Sequence, residues 1–229
     1  MSLKFKNILD ECEWLIIRNA ATVAAAEDLE SHILAVLTDN FGAPKARQLS
    51  DQSTWLMETE EVCPGTARNI REQFKSGEAL TEKLSAPGLL STVETLGGAK
   101  PYLHHIIRLR TVMKCHDFSH SRPHQDISLW PDRPNHINCW LPLCDIDDEL
   151  APLLIVPESS KKIFPHVENE YGQMEVASFD KQMLTSKKIC ARFGDLVMFS
   201  PKIIHFSAPN LTKTVRWSLD FRYQTSASG

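Results

Sequence analysis

The fold is decided by Val215-Arg-Trp-Ser-Leu-Asp-Phe-Arg-Tyr223, a stretch in which apolar side chains alternate with two arginines, a serine and an aspartate. Successive side chains of a β-strand point to opposite faces, so this pattern predicts a strand with one apolar and one polar face. The apolar face needs a covering layer. The polar face is either solvated or lines a cavity that holds a ligand.

Upstream of this strand, from Pro101 onward, short β-branched and aromatic runs are separated by Pro, Gly, Asn and Asp. Many short strands between turns are typical of a sandwich, barrel or jelly roll. The polar segment Ser159–Ser186 is expected to be a long loop beside the site that acts as a lid. The predicted strands are His105–Met113, His124–Trp130, Ile137–Leu143, Leu153–Val156, Lys188–Ala191, Asp195–Phe199 and Val215–Tyr223.

The first hundred residues are predicted to be mainly helical, and they can supply the covering layer. Helices are expected at Ala20–Leu37, Pro64–Phe74 and Pro87–Leu96, and a short strand at Gln52–Met57. The predicted class is therefore α+β, mainly β. We expect a single domain over residues 1–229, with a helical layer at 1–100 and a β core at 101–224.

Composition excludes several classes of protein. Of the 229 residues, 42% are hydrophobic and 24% charged, which is ordinary for a globular protein and excludes collagen, coiled coils and disorder. The net charge of −4 argues against a nucleic-acid partner. The chain opens on polar and acidic residues, and no apolar run is long enough to span a membrane. Six irregularly spaced cysteines favour reduced thiols and a cytoplasmic location.

His124-Gln-Asp126 places an imidazole and a carboxylate two residues apart, on one face of a predicted strand. A third ligand from another strand would complete a two-His-one-carboxylate site of the kind that binds iron(II) in oxygenases. His166-Val-Glu168 has the same spacing and is the rival pair. It ranks second because it lies in the polar segment, where strand geometry is less expected.

The third ligand and an anion-binding arginine are suggested by the C-terminal part. The turn and strand at Gly194–Phe199 are followed by His205, and Arg216 comes eleven residues after that histidine. A guanidinium presents a planar fork that binds a carboxylate through two hydrogen bonds. An inward arginine after a metal-binding histidine suits the distal carboxylate of a dicarboxylic co-substrate.

Together these motifs resemble the Fe(II)/2-oxoglutarate-dependent oxygenases, and most of all their phytanoyl-CoA dioxygenase-like family. The resemblance covers residues 101–224 and rests on segments 122–126, 140–145, 153–160 and 194–223. It implies a double-stranded β-helix (a cupin-like jelly roll) with N-terminal helices packed on one sheet. It also implies that His124, Asp126 and His205 are the catalytic iron ligands, and that Arg216, assisted by Ser218, binds 2-oxoglutarate.

Two loops depart from the family pattern. Pro157-Glu-Ser-Ser stands where Pro-Gly-Ser-His is usual, and Ala151-Pro-Leu153 stands where Gly-x-Leu is usual. Neither change removes a ligand. Related halogenases lack the carboxylate ligand, so the presence of Asp126 favours hydroxylation.

Four further residues are candidates for the site. Asn138 is expected to hydrogen-bond 2-oxoglutarate, and Trp130 to line the substrate pocket from the same strand face as the ligands. Arg122 and Arg110 are candidates for substrate binding, although a strand face bearing Arg110 is also compatible with solvent. Cys115-His116 is rejected as a thiol–base pair because adjacent strand residues point to opposite faces.

The expected function is a dioxygenase that uses Fe(II), 2-oxoglutarate and O2 to hydroxylate a small molecule, with release of succinate and CO2. One alternative is a non-catalytic cupin-like module that binds an anionic small molecule or a sugar. Another is a metal-dependent isomerase or hydrolase on a similar barrel. The substrate and the oligomeric state are not encoded in any motif that we recognise.

Overall fold

The computed structural model describes residues 12–75, 77–97, 100–114, 121–130, 136–170, 172–178 and 185–225. Cys115 and His116 lie outside these ranges. The helices are α1 (Ala20–Phe41), α2 (Ser53–Val62), α3 (Thr66–Gln73), α4 (Glu78–Leu84) and α5 (Pro87–Gly97). The strands are β1 (Trp14–Ile17), β2 (Pro101–Leu103), β3 (Arg108–Val112), β4 (His136–Pro142), β5 (Leu153–Ile155), β6 (His166–Glu168), β7 (Met174–Val176), β8 (Lys187–Ile189), β9 (Leu196–Phe199), β10 (His205–Ser207) and β11 (Arg216–Thr225).

The strands form a large sheet, a small sheet and a hairpin. The large sheet has the order β1-β9-β4-β11-β2, and β3 also pairs with β11. The small sheet has the order β10-β5-β8, while β6 pairs with β7. Every pairing between these strands is antiparallel. The expected class, a mainly β jelly roll with N-terminal helices, is confirmed.

Strand β11 organises the large sheet, as its alternation predicts. One of its faces carries four residues that are at most 1% exposed, namely Trp217, Leu219, Phe221 and Tyr223. They belong to the same apolar core as Leu29 and Ile33 of α1. The helices therefore cover this face, and the Tyr223 hydroxyl donates a 2.6 Å hydrogen bond to the Leu84 carbonyl at the end of α4. The opposite face is left to form the inside of the barrel.

Gly194 allows α1 to lie close to the turn before β9. Its φ is +78°, a left-handed value that glycine adopts without strain. A Cβ at this position would lie 3.0 Å from the Val23 Cα atom of α1. The glycine is thus required both by the turn and by the approach of the helix.

One prediction for the N-terminal part is wrong, and one strand there was not predicted. Gln52–Met57 is not a strand, because Ser53–Val62 forms α2, which buries Leu56 and Glu60 four residues apart on one helical face. The first hundred residues also contribute to the large sheet, since β1 pairs with β9 through Trp14 and Phe199. No helix among the described residues is long and apolar enough to cross a membrane.

Candidate metal centre and co-substrate pocket

Two imidazoles and one carboxylate meet at one end of the barrel. His205 begins β10 and forms an isolated antiparallel bridge with His124, with N···O distances of 3.2 and 3.0 Å. The bridge places the two imidazole centroids 4.2 Å apart. Asp126 begins a 3₁₀ helix, Asp126–Ser128, and directs its carboxylate at both rings. One ligand atom from each of the three side chains lies within 4.8 Å of the others.

The strand predicted at His124–Trp130 is wrong. Only His124 takes part in a bridge, and the chain turns into the 3₁₀ helix two residues later. Gln125 is nevertheless extended, with φ −118° and ψ 124°, so the side chains on either side of it still project together. One extended residue is enough for the ligand pair, but it does not fix where Trp130 points.

Backbone carbonyls determine which ring nitrogens face the centre. His124 Nδ1 lies 2.6 Å from the Arg122 carbonyl oxygen, and His205 Nδ1 lies 3.1 Å from the Ile203 carbonyl oxygen. A carbonyl only accepts, so each Nδ1 carries the proton and donates it. Each Nε2 therefore directs a lone pair into the site, the arrangement that a metal-binding imidazole needs.

The donor set fits a divalent metal ion. Asp126 Oδ1 lies 3.2 Å from His124 Nε2 and 3.9 Å from His205 Nε2, and it is buried without a hydrogen-bond partner. Burial, and then the neighbouring His124, lower the pKa of His205 to about 3, so its ring is neutral. Three acceptors thus face one another with no proton between them, and a cation removes that repulsion. Two imidazoles and a carboxylate suit iron(II).

Arg222 holds the other oxygen of the ligand carboxylate. Its Nε donates a 2.8 Å hydrogen bond to Asp126 Oδ2, and its Nη2 contacts the same oxygen. Burial alone would raise the pKa of Asp126, but the neighbouring Arg222 guanidinium holds it well below its usual range. The Arg222 guanidinium lies over the Trp130 ring, 4.4 Å from its centroid. The carboxylate is therefore ionised and oriented before any metal binds.

Beside these ligands lies a small cavity of about 30 Å³, lined mainly by residues of β4, β9 and β11. Arg216 is 2% exposed, and its guanidinium lies over the Trp140 ring at 5.6 Å. Arg216 Nε, Ser218 Oγ and both polar atoms of the Asn138 amide are buried without a hydrogen-bond partner in the described structure. Buried polar atoms rarely lack partners, so these groups indicate a place for a polar ligand.

The remaining predicted residues occupy different positions. Arg110 lines the cavity and pairs with Asp220, with Nε 2.6 Å from Oδ2. Trp130 does not line the cavity; it supports Arg222 and lies edge-on to His136, with ring centroids 5.9 Å apart. Arg122 contributes its carbonyl to the orientation of His124.

The hydrogen bonds of His166 argue against His166 and Glu168, the rival pair, as metal ligands. His166 Nε2 accepts a 3.0 Å hydrogen bond from the Gln125 backbone N–H, and His166 Nδ1 lies 2.8 Å from the Phe164 carbonyl oxygen. Both ring nitrogens are thus engaged, and Glu168 is exposed. His166 supports the ligand segment from behind.

Gln125, between the two ligands, is a structural residue that the sequence reasoning missed. It is fully buried, and its amide nitrogen donates a 2.7 Å hydrogen bond to the Lys162 carbonyl oxygen. The same nitrogen also contacts the Lys202 carbonyl oxygen. Its amide oxygen accepts from the Phe164 N–H at 2.8 Å. The position of a glutamine between two ligands was the available signal for this role. Its hydrogen-bond partners could not be identified from the sequence, because they lie 37 to 77 residues away. It ties the ligand segment to two distant loops.

Comparison with known proteins agrees with this geometry. The model of the Phytanoyl-CoA dioxygenase (PhyH) family matches residues 15–218. No curated protein matches the sequence. The predicted resemblance is confirmed, and with it, at the level of the family, the expected iron and 2-oxoglutarate cofactors.

Solved structures with similar folds include non-heme enzymes, and the three described here have low sequence identity to this chain. The apo form of the non-heme monooxygenase ThoJ is 18% identical, with a TM-score of 0.62 over 97% of this chain and 77% of that chain. The epimerase SnoN, in complex with Fe3+, alpha ketoglutarate and nogalamycin RO, is 15% identical, with a TM-score of 0.60 over 93% of this chain and 79% of that one. EctD from S. alaskensis, with 2-oxoglutarate and 5-hydroxyectoine, is 12% identical, with a TM-score of 0.59 over 93% of this chain and 72% of that chain.

Proposed function

From the premise that the chain belongs to the phytanoyl-CoA dioxygenase family, we propose that it hydroxylates a small molecule, with 2-oxoglutarate as co-substrate and O2 as oxidant. One oxygen atom enters the product and the other enters succinate, while the first carboxylate of 2-oxoglutarate leaves as CO2. The observation that carries this proposal is the convergence of His124, Asp126 and His205, with both Nε2 lone pairs turned inward.

In this proposal His124, Asp126 and His205 would hold iron(II). When bound, the iron supplies the site at which 2-oxoglutarate and O2 react. The carboxylate of Asp126 remains ionised because Arg222 is hydrogen-bonded to its far oxygen. The Nδ1 atoms of the two histidines donate to backbone carbonyls outside the centre, so their Nε2 atoms are the ones available to the metal.

Arg216 is proposed to bind the distal carboxylate of 2-oxoglutarate. Its guanidinium is fixed against Trp140, and its Nε lacks a partner among the described residues. Ser218 lies two residues along the same face of β11, and its unpartnered hydroxyl can donate to the same carboxylate. Asn138 lies opposite Arg222 in the register of β4 and β11, so its free amide can reach the end of the co-substrate nearer the ligands.

The test measures iron-dependent binding and turnover. Under nitrogen, 2-oxoglutarate should bind the iron(II) protein and produce a visible charge-transfer absorption. In air, a panel of metabolites is screened for compounds that stimulate succinate release. His205→Ala and Asp126→Ala should abolish both signals, whereas Glu168→Ala, a control in the rival pair, should retain them. Binding of 2-oxoglutarate that is unaffected by His205→Ala and by chelators would refute the proposal and favour a non-catalytic binding module.

A further inference from the structure

The inner face of the large sheet carries more positive than negative side chains. Among the described residues of β3 and β11, this face holds four arginines and one aspartate, because Arg216, Ser218 and Asp220 stand opposite Val112, Arg110 and Arg108. Arg110 pairs with Asp220, and Arg222 pairs with Asp126. Arg108 and Arg216 have neither a hydrogen bond nor an ion pair in the described structure. Among the described residues, Asp220 is close enough to act on both arginines, but it is ion-paired with Arg110 and not with either of them.

These two arginines line different cavities, because Arg216 lines the cavity beside the metal ligands and Arg108 does not. Arg108 precedes Val112, the partner of Arg216, by four residues on one strand. At about 3.3 Å per residue, their backbone positions are roughly 13 Å apart along the sheet. In the proposed function, one carboxylate of 2-oxoglutarate is at the iron and the other is at Arg216. Arg108 therefore remains for a different anion.

Arg108 faces a second, open cavity between β3 and α3. This cavity is also lined by Arg68 and Arg71 of α3, and by Arg110, which lines the inner cavity as well. Burial, and then the proximity of Arg110, lower the pKa values of Arg108 and Arg71 to about 10. Such crowding of guanidinium groups is unfavourable unless nearby anionic groups compensate it.

Several acidic groups of the outer cavity are already engaged or lie at its rim. Both oxygens of Glu60 accept backbone hydrogen bonds, at 2.8 Å from Gly65 N and 2.7 Å from Ala67 N, at the start of α3. Glu72 pairs with Lys75 at 3.3 Å. Glu61 and Glu170 also line the cavity, and both are exposed. Arg108 is half-buried in this cavity and has neither a hydrogen bond nor an ion pair among the described residues.

We propose that the outer cavity binds an oxyanion group of the primary substrate, a carboxylate, phosphate or sulfate, through Arg108, Arg71 and Arg68. This inference rests on the proposed function, because it assigns the substrate of the same iron site. Arg110, shared by the two cavities, marks the passage along which the rest of the substrate extends toward the iron. The substrate class is therefore an anionic small molecule whose oxidised carbon lies well away from its charged group.

The experiment uses sulfate as the probe on the iron(II)–2-oxoglutarate form under nitrogen. Sulfate is titrated in a calorimeter at constant ionic strength, and the chloride that it replaces serves as the reference anion. We expect one saturable site. Arg108→Gln should weaken sulfate binding about tenfold or more, because a charge-assisted hydrogen bond is lost. Arg108→Lys, which keeps the charge, should lose less.

Lys75→Gln is the matched control, since it removes a cation from the same cavity that is already paired with Glu72. It should leave the sulfate affinity nearly unchanged. In all three variants, binding of 2-oxoglutarate, measured by its charge-transfer absorption, should match that of the unsubstituted protein and show that the fold is intact.

The two proposals fail in different ways. Absence of 2-oxoglutarate binding in the unsubstituted protein overturns the proposed function. If 2-oxoglutarate binds normally but sulfate binding does not saturate, only the anion site is overturned. The same holds if Arg108→Gln and Lys75→Gln change the sulfate affinity equally. Loss of sulfate binding in Arg216→Gln, but not in Arg108→Gln, also overturns it, because the probe would then occupy the co-substrate pocket.

Discussion

Arg222 contacts the one oxygen of Asp126 that is turned away from the two histidines, with its Nε 2.8 Å from Oδ2. The carboxylate thus has an inner oxygen for a metal and an outer oxygen for a guanidinium. Both side chains are at most 6% exposed, so this is a buried ion pair. Removing one partner of such a pair leaves an uncompensated charge.

Arg222→Gln should therefore destabilise the metal-free protein by about 3 kcal/mol. Iron(II) should restore part of this loss, because it neutralises the same carboxylate. The measurement is urea unfolding under nitrogen with and without iron. Arg110→Gln is the control, since its pair with Asp220 is partly exposed and lies off the ligand set; iron should not rescue it. Equal responses to iron in the two variants would contradict this account.

Gln125→Met should lower iron affinity about 10- to 100-fold without changing any ligand, because groups that orient ligands have effects of that size. The substitution removes donors to the Lys162 and Lys202 carbonyls and leaves the Phe164 N–H without its acceptor. Competition with a chromophoric chelator measures the affinity. Gln48→Met, on the exposed surface, should have no effect. Unchanged affinity in Gln125→Met would mean that the ligand segment is held by other contacts.

Gly194→Ala should destabilise the fold by about 2 kcal/mol, because a side chain is strained at φ +78° and its Cβ would press on Val23. Gly77→Ala is the matched control, since its φ is −67° and a Cβ there meets nothing within 4 Å. Gly77 is the N-cap of α4, where alanine is less favourable than glycine, so that control should cost less than about 1 kcal/mol. Thermal or urea unfolding of both variants checks the difference, and similar losses in the two would count against the proposed contact with α1.

Tyr223→Phe should cost about 1 kcal/mol at neutral pH, through loss of the hydrogen bond to Leu84. Burial raises the pKa of Tyr223 well above its usual value. The Tyr223 hydroxyl therefore makes its full contribution to the free energy of unfolding below the unfolded-state pKa of about 10. This contribution falls as the pH rises further, since only the unfolded state then ionises. The difference in unfolding free energy between the two proteins should shrink between about pH 9 and 11. Tyr102→Phe, at a residue 50% exposed, is the control for loss of a hydroxyl.

The large-scale organisation of this chain can be predicted because it depends on local sequence patterns, such as the alternation of apolar and polar residues. The alternation of β11 indicated a helix-covered face and a polar face, and Arg216 indeed lies on the polar one. The spacing from His205 to Arg216 also placed both residues at one cavity. The roles assigned to these site residues remain predictions until iron and 2-oxoglutarate binding are measured.

What the sequence did not reveal depends on long-range contacts. The partner of Arg222 lies 96 residues away, and no local pattern connects them. β1 is a four-residue strand whose partner, β9, follows some 180 residues later. The 3₁₀ turn at Asp126 was missed because Ile127 and Leu129 suggested a continuing strand, whereas tertiary contacts such as the bond from Ile127 N to the Pro201 carbonyl fix the turn.

The hydrogen bonds from His124 and His205 to main-chain carbonyls have a consequence for metal acquisition. They set the imidazole orientations through the fold itself, so the centre should be competent to capture an ion directly after synthesis. Such a centre offers little intrinsic discrimination, because nitrogen and oxygen donors favour copper and zinc over iron on the usual affinity scale. Correct loading would then depend on which ions the surroundings supply, and mismetallation would be a characteristic route to an inert protein.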